Sequence, residues 1–189
     1  MRQNMTLARL RDGQPALGLW LQTHNLHTAR IVAANKLVDC IAVDIEHTPV
    51  DLSTASAIFA AVADVSGGAC TPLARVIQGS LVEIRRALDA GAQGVIVPMV
   101  NTAEDAAEAV RYSRYPPEGE RGAGGFVPHF GFGTTSHIEY VGAANREILV
   151  GVMIETRAAI DNIDAILAVP GIDMAFVGPF DLHISLGLS

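Results

Sequence analysis

The sequence contains few aromatic residues, a single lysine, two cysteines and no apolar run long enough to cross a bilayer. Cys40 and Cys70 form no CxxC motif or Cys/His cluster, so we expect both to be buried thiols in a reducing compartment. The formal net charge of −7 disfavours nucleic acid and anionic membranes as partners. The first residues lack the apolar segment of a signal peptide, and we therefore expect a cytoplasmic protein.

The apolar half of the sequence, rich in Ala, Val, Ile and Leu, is grouped into short runs separated by helical segments. Such continuous runs are typical of parallel strands that are buried on both faces of a sheet. Strands are predicted over residues 16–21, 40–46, 72–77, 94–100, 148–155 and 176–181. Helices are predicted from Asn25 or Thr28 to Lys36, over 55–63 after a cap at Asp51 or Ser53, over 81–90 after Ser80, from Thr102 to Tyr112, over 134–146 and over 157–168.

The repeat of strand, loop and helix occurs six times, which predicts either an open doubly wound sheet or a closed barrel. We favour an α/β fold of the (β/α)8 TIM barrel type, because polar residues recur at strand ends around the whole chain. No glycine-rich nucleotide-binding turn follows the first strand. Such a barrel has eight strands, so we expect residues 1–189 to form a single barrel domain, truncated after the sixth strand.

Each of the last two predicted strands ends in one acid, Glu155 in the fifth and Asp181 in the sixth. The carboxyl ends of parallel strands lie on one rim, where α/β folds bind their ligands. Two carboxylates at an apolar rim are unfavourable unless they are paired, protonated or bound to a cation. They predict a hard divalent ion, Mg²⁺ or Mn²⁺, although both acids would also suit helix caps.

Three further polar residues lie on the same predicted rim. Asp44 and His47 end the second strand, and a carboxylate beside a histidine suits general acid/base chemistry; a loop cap is the alternative for His47. Arg75 lies in an apolar strand and needs an anionic partner, either a structural one such as Asp44 or a substrate carboxylate or enolate. For Glu46 we expect a surface role.

A glycine- and proline-rich stretch over 115–128 predicts a long irregular loop. Loops of this length in compact α/β chains more often have a function than serve only as connections. His129 follows this loop directly and is a secondary candidate for the site.

Six short motifs occur in order along nearly the whole chain, over residues 18–20, 43–49, 97–100, 114–122, 154–157 and 177–182. Together they resemble the HpcH/HpaI aldolase family. Its members are metal-dependent class II pyruvate aldolases with a (β/α)8 barrel, such as 4-hydroxy-2-oxoheptanedioate aldolase and 2-dehydro-3-deoxyglucarate aldolase.

The resemblance implies a role for each rim residue. Glu155 and Asp181 would hold the magnesium or manganese ion, and no organic cofactor would be needed. Arg75 would contact the pyruvate moiety and stabilise its enolate. His47, oriented by Asp44, would be the acid/base of the aldol step.

The resemblance also implies which residues surround the substrate. Gly178 and Pro179 would shape the backbone that receives the pyruvate carboxylate, and Trp20 would line the pocket. Met153 and Phe180 also belong to this substrate site, but the family commonly has Gln and a small residue there, which leaves the aldehyde partner open.

The implied reaction joins or separates pyruvate and an aldehyde through a 4-hydroxy-2-oxo acid. Lys36, the only lysine, lies on a predicted helix, which agrees with metal rather than Schiff-base chemistry. Asp89 matches a family acid that reaches a neighbouring subunit's site, so we expect a homo-oligomer, usually a hexamer in this family. The alternatives are a related carbon–carbon lyase or oxaloacetate decarboxylase, and an inactive truncated barrel.

Overall fold

Six parallel strands form one sheet in the computed structural model, which describes residues 1–124 and 136–188. Each strand pairs with the next one along the chain, so the α/β class and the parallel order are confirmed. The strands are β1 (Gly18–Leu21), β2 (Cys40–Asp44), β3 (Thr71–Arg75), β4 (Gly94–Val97), β5 (Leu149–Ile154) and β6 (Met174–Val177). The helices are α1 (Met5–Arg11), α2 (Leu26–Ala33), α3 (Leu52–Val65), α4 (Leu81–Asp89), α5 (Ala103–Ser113), α6 (His137–Glu147), α7 (Arg157–Asp161), α8 (Ile163–Leu167) and α9 (Pro179–Ser185).

Side-chain caps define where most of the predicted helices begin. Asn25 caps α2 and Asp51 caps α3, each accepting a backbone N–H three residues further on. The caps are therefore Asn25 rather than Thr28, and Asp51 rather than Ser53. Ser80 caps α4 in the same way. Thr102 and Asp105 form a complete capping box at the start of α5, as predicted.

Several strands end earlier than predicted, because the residues that follow them build the loops of the carboxyl rim. β3 ends at Arg75 and β4 ends at Val97. The largest correction concerns the sixth strand, which ends at Val177, so that Asp181 lies in the first turn of α9. Pro179 occupies the start of that helix, where its missing N–H removes no helical hydrogen bond.

The remaining predicted segments differ from the structure in detail. The helix predicted over 157–168 is divided into α7 and α8 at Asn162. The predicted loop is irregular over its described part, 115–124. Residues 125–135, which include His129, lie outside the described residues.

Helix α1, which the sequence patterns did not predict, packs against the amino ends of the strands. Leu7 packs there with inward-facing strand residues and is only 1% exposed. The side chain of Asn4 donates to the carbonyls of Gln93 and Glu147, just before β4 and β5. Thr6 donates to the carbonyl of Asp39, just before β2. The carboxyl rim is therefore left as the end of the sheet available for a site.

Buried apolar residues form two clusters, one on each face of the sheet. The larger lies between the sheet and the helices, where Val43, Val95 and Ile154 pack with Phe59 and Ile84. The smaller comprises Leu7, Ala42, Leu73, Ile96, Leu149 and Met153. Burial on both faces explains why the strands are continuous apolar runs. None of the helices in the described ranges is both long and apolar enough to span a membrane.

Candidate active site

Arg75 and Asp44 form a buried, two-bond ion pair at the ends of neighbouring strands. The two residues are in register across β2 and β3. Arg75 Nε donates to Asp44 Oδ1 at 2.9 Å, and Arg75 Nη2 donates to Oδ2. The guanidinium also lies 5.1 Å from the centre of the Trp20 ring. A guanidinium held by a fork of hydrogen bonds and an aromatic face is positioned rigidly.

Asp44 also shapes the loop that follows β2. Its Oδ1 accepts the backbone N–H groups of Glu46 and His47, each at 3.1 Å, and Gln22 donates to Oδ2 at 3.3 Å. Burial acts to raise the pKa of Asp44, but the hydrogen bonds from Arg75, His47 and Gln22 hold that pKa below its usual value. Asp44 is therefore an ionised anchor for Arg75 and for the loop.

The imidazole of His47 faces Glu46 rather than Asp44. The sequence-based expectation was that Asp44 orients the ring, but the contact that Asp44 makes is with the His47 backbone. His47 Nε2 lies 3.6 Å from Glu46 Oε2, and the His47 side chain is 60% exposed. An exposed imidazole at the rim is accessible to a substrate.

Glu46 points into the site, and the expected surface role is wrong. Its side chain is 17% exposed, and Oε2 lies 3.4 Å from Arg75 Nη1. Burial raises the pKa of Glu46 above its usual value; positive charge at Arg75 and at His47 opposes that rise in pKa. The neighbouring carboxylate of Glu155 raises the same pKa further. No sequence pattern predicted this, because Glu46 follows the end of the strand and its direction depends on the loop.

Glu155 is held in place directly after β5. It is 3% exposed, and its Oε1 accepts the backbone N–H of Met99 at 2.7 Å. A Cβ atom added to Gly178 would lie 2.7 Å from Glu155 Oε2, so the turn after β6 packs tightly on this carboxylate. In the described part of the chain, no arginine, lysine or histidine forms an ion pair with Glu155. A buried carboxylate without a cationic partner fits a metal ion.

Asp181 follows the neighbouring strand β6 and is exposed in the first turn of α9. Because parallel strands end on one rim, Glu155 and Asp181 lie at the same end of the sheet. Carboxylate oxygens are the ligands that Mg²⁺ and Mn²⁺ prefer. One buried and one exposed carboxylate suit an ion that retains part of its water shell.

Residues 16–189 match the protein family described as HpcH/HpaI aldolase/citrate lyase. The chain belongs to this family. The resemblance inferred from the sequence motifs is therefore confirmed.

Relatives in the HpcH/HpaI family include enzymes named as aldolases, which are carbon–carbon lyases. The 2-keto-3-deoxy-L-rhamnonate aldolase of Escherichia coli strain K12 is 40% identical over 180 residues, covering 95% of this chain and 65% of the relative. The chain thus spans about 65% of the length of the curated relatives it matches.

Solved structures agree with this membership. An HpcH/HpaI aldolase/citrate lyase family protein from Burkholderia cenocepacia J2315 superposes with a TM-score of 0.90 at 36% identity, covering 98% of this chain and 72% of that one. The citrate lyase β subunit of M. tuberculosis, complexed with oxaloacetate and magnesium, is 17% identical with a TM-score of 0.54, covering 96% of this chain and 65% of that one. The latter comparison shows a shared fold.

The predicted substrate residues of this HpcH/HpaI chain lie at different depths of the rim. Trp20 packs edge-on against Phe176, with ring centres 5.0 Å apart. Met153 is buried in the inner cluster, next to the turn at Gly178. Phe180 is 84% exposed on α9. Met153 therefore packs below the rim, whereas Phe180 is exposed to solvent.

Asp89 lies far from the other predicted site residues of this HpcH/HpaI chain. It ends α4, which runs back from the carboxyl rim, so Asp89 lies at the amino end of the strands. There it accepts a hydrogen bond from Arg121 Nη2 at 2.8 Å. Arg121 is buried and stacks on the Tyr115 ring at 4.5 Å. Asp89 is thus rigidly held, and within one subunit it does not join the rim.

Proposed function

We propose that this protein is a divalent-metal-dependent aldolase that cleaves or forms the carbon–carbon bond of a 4-hydroxy-2-oxo acid, with pyruvate and an aldehyde as products. The observation that carries the proposal is Glu155, a buried rim carboxylate whose described contacts include no cationic partner. Support also comes from relatives named as aldolases at about 40% identity.

Glu155 and Asp181 would hold Mg²⁺ or Mn²⁺. The ion would supply Lewis-acid stabilisation to the carboxylate and ketone oxygens of the 2-oxo acid. A magnesium-bearing structure of the distant citrate lyase β subunit agrees with this choice of ion. Gly178 and Pro179 shape the turn beside this position. The Gly178 N–H group donates to Ile154 O at 3.1 Å, so this N–H group is used in a hydrogen bond within the fold.

Arg75 stabilises the negative charge that develops on the ketone oxygen when the bond breaks. Its fork to Asp44 keeps the guanidinium in place before and after the reaction, so little reorganisation is needed. Trp20 covers one face of the guanidinium and limits its contact with water. This arrangement suits a small anionic substrate.

His47 is the proton acceptor in the cleavage direction. It removes the proton from the 4-hydroxyl group, the bond between C3 and C4 breaks, and the aldehyde forms at C4. The bonding electron pair passes to the three-carbon enolate, which takes up at C3 the proton held by His47 and leaves as pyruvate, so that the imidazole is neutral again. Phe180 lies beside the aldehyde portion.

We further propose that the six strands belong to a (β/α)8 barrel and that the enzyme is a homo-oligomer. Asp89 would then contribute to a neighbouring subunit's site, because the carboxyl rim of its own subunit lies at the opposite end of the strands from Asp89. The hydrogen bond from Arg121 would hold its carboxylate toward that neighbour.

The test is pyruvate release from a panel of 4-hydroxy-2-oxo acids, with Mg²⁺ or Mn²⁺ and then with EDTA. We expect metal-dependent release that is lost in Glu155→Ala and kept in Glu104→Ala, a control acid on the exposed face of α5. Absence of release from a folded, metal-loaded sample would overturn the aldolase assignment. Carbon dioxide release from oxaloacetate under the same conditions would then assign a decarboxylase.

A further inference from the structure

The loop after β2 is folded around Asp44. The backbone N–H groups of Glu46 and His47 both donate to Asp44 Oδ1, and the Thr48 hydroxyl donates to the Asp44 carbonyl. These bonds fix the backbone of the two residues side by side. Their side chains therefore share one small region of the rim, between the end of β2 and Arg75 on β3.

Asp44 has no capacity left to bind the imidazole of His47. Its two oxygens already accept hydrogen bonds from two atoms of Arg75, from two backbone N–H groups and from Gln22. A carboxylate offers about four lone-pair positions, and these are taken. The partner that orients His47 must be another group.

Glu46 is the group with an unused acceptor. Its Oε2 atom is buried and, among the described residues, has no hydrogen-bond partner. Arg75 Nη1 lies 3.4 Å away and His47 Nε2 lies 3.6 Å away. Asp44 holds the guanidinium of Arg75 through Nε and Nη2, and the remaining Nη1 forms an ion-pair contact with Glu46 Oε2 but no hydrogen bond. Buried acceptors in native structures have partners, and His47 Nε2 is the nearest movable donor.

We propose that Glu46 is a positioning residue for His47 in the aldol reaction. Its carboxylate accepts the Nε2–H of the imidazole, so that Nδ1 carries the lone pair that receives the substrate proton. The contact shortens when the substrate orders the rim, as catalytic hydrogen bonds often do. Once His47 is protonated, the adjacent carboxylate stabilises the imidazolium. This inference rests on the proposed aldolase function.

The first test reads the imidazole directly and needs no turnover. Long-range ¹H–¹⁵N correlation spectra identify the tautomer of each histidine, and His47→Ala assigns the signals of His47. We expect a hydrogen on Nε2 in the wild-type protein and a mixture of tautomers in Glu46→Gln. The control Glu104→Gln leaves the spectrum unchanged. An unchanged His47 tautomer in Glu46→Gln would overturn the proposal.

The second test is a double-mutant cycle on pyruvate release. Glu46→Gln alone is expected to lower kcat by about 10- to 100-fold, the range seen when a group that orients an active-site ligand is removed. In the His47→Ala background, the same change is expected to have little further effect, because Glu46 acts through His47. Losses that multiply instead would show that Glu46 acts on the substrate or Arg75, and would overturn the positioning role.

The two tests separate failure of this inference from failure of the proposed function. Metal-dependent release that requires Glu155 but is insensitive to Glu46→Gln would retain the aldolase and reject Glu46. A Glu46-dependent tautomer in a protein that releases no pyruvate would retain the contact and reject the reaction. Mn²⁺ binding to Glu46→Gln, measured by calorimetry, checks that the metal site is intact.

Discussion

The backbone N–H of Met99 donates a hydrogen bond of 2.7 Å to Glu155 Oε1, and Met99 adopts a φ of 57° to make it. This left-handed conformation is unfavourable for a residue with a side chain. Local backbone strain of this kind concentrates at functional sites. The strained turn after β4 thus presents an N–H group to the carboxylate after β5.

Replacing Met99 tests the strain. Met99→Gly keeps the N–H and removes the steric conflict, so we expect an unfolding free energy within about 1 kcal/mol of wild type and retained metal binding. Met99→Val places a β-branched side chain at the same φ and is expected to be less stable than Met99→Gly by roughly 1–2 kcal/mol. Urea unfolding measures both, and the reverse order of stability would contradict the assignment of strain.

Gly178 is expected to be essential for the metal site. A Cβ there would lie 2.7 Å from Glu155 Oε2, so Gly178→Ala must displace the carboxylate or the turn. We expect Mn²⁺ affinity, measured by calorimetry, to fall by about 10- to 100-fold. Gly142→Ala is the matched control, since a Cβ there would meet the end of the flexible Arg146 side chain at 3.6 Å. Equal affinities in the two variants would refute the prediction.

Stability should decrease in acid because of Asp44. Its pKa is lower in the folded protein than its usual value, so its contribution is present above about pH 4 and is lost as the pH falls below that. Asp44→Asn removes the charged partner that holds the buried Arg75 by two hydrogen bonds and leaves only the 3.4 Å contact with Glu46, which is expected to cost about 3–5 kcal/mol at neutral pH. The unfolding free energy of the variant should also decrease less than that of wild type as the pH falls. If the wild-type and Asp44→Asn curves of unfolding free energy against pH were parallel, Asp44 would not be the source of the acid sensitivity.

Leu7 should contribute to stability through the packing of α1 on the sheet. Leu7→Ala removes a fully buried side chain, and we expect a loss of about 2–5 kcal/mol in the free energy of unfolding. Leu37→Ala, at an exposed position, should change it by no more than about 0.5 kcal/mol. Chemical denaturation measures the unfolding free energy of both variants. A small effect at Leu7 would mean that α1 is not part of the cooperative fold.

Asp89 can be tested by mixing inactive subunits. If Asp89 serves a neighbour's site, Asp89→Asn and Glu155→Ala subunits mixed in equal amounts should regain up to about a quarter of wild-type activity, because some sites receive both intact residues. Mixtures of Glu155→Ala with Asp181→Ala provide the control and should remain inactive, since both residues come from one subunit. Lack of recovery in well-mixed oligomers would place Asp89 outside the site.

The parallel sheet, the helix caps and the approximate places of Glu155, Arg75 and Asp44 were predictable, because each depends on neighbours close in the sequence. Apolar runs specify buried strands, and cap residues act within three positions. Two elements were not predictable in this way. Helix α1 is short and owes its place to bonds with Gln93 and Glu147, and α9 begins where a strand was expected to continue.

The sequence by itself determined the family, the order of the strands and which acids follow them, because these are properties of local pattern. Only the tertiary structure decided how the polar side chains are paired. It assigned Asp44 to Arg75, turned Glu46 inward toward His47 and left Glu155 without a cationic partner among the described residues. The physical reason is that hydrogen-bonding capacity is limited: once Asp44 is saturated by groups from three segments of the chain, the remaining donors must find other acceptors.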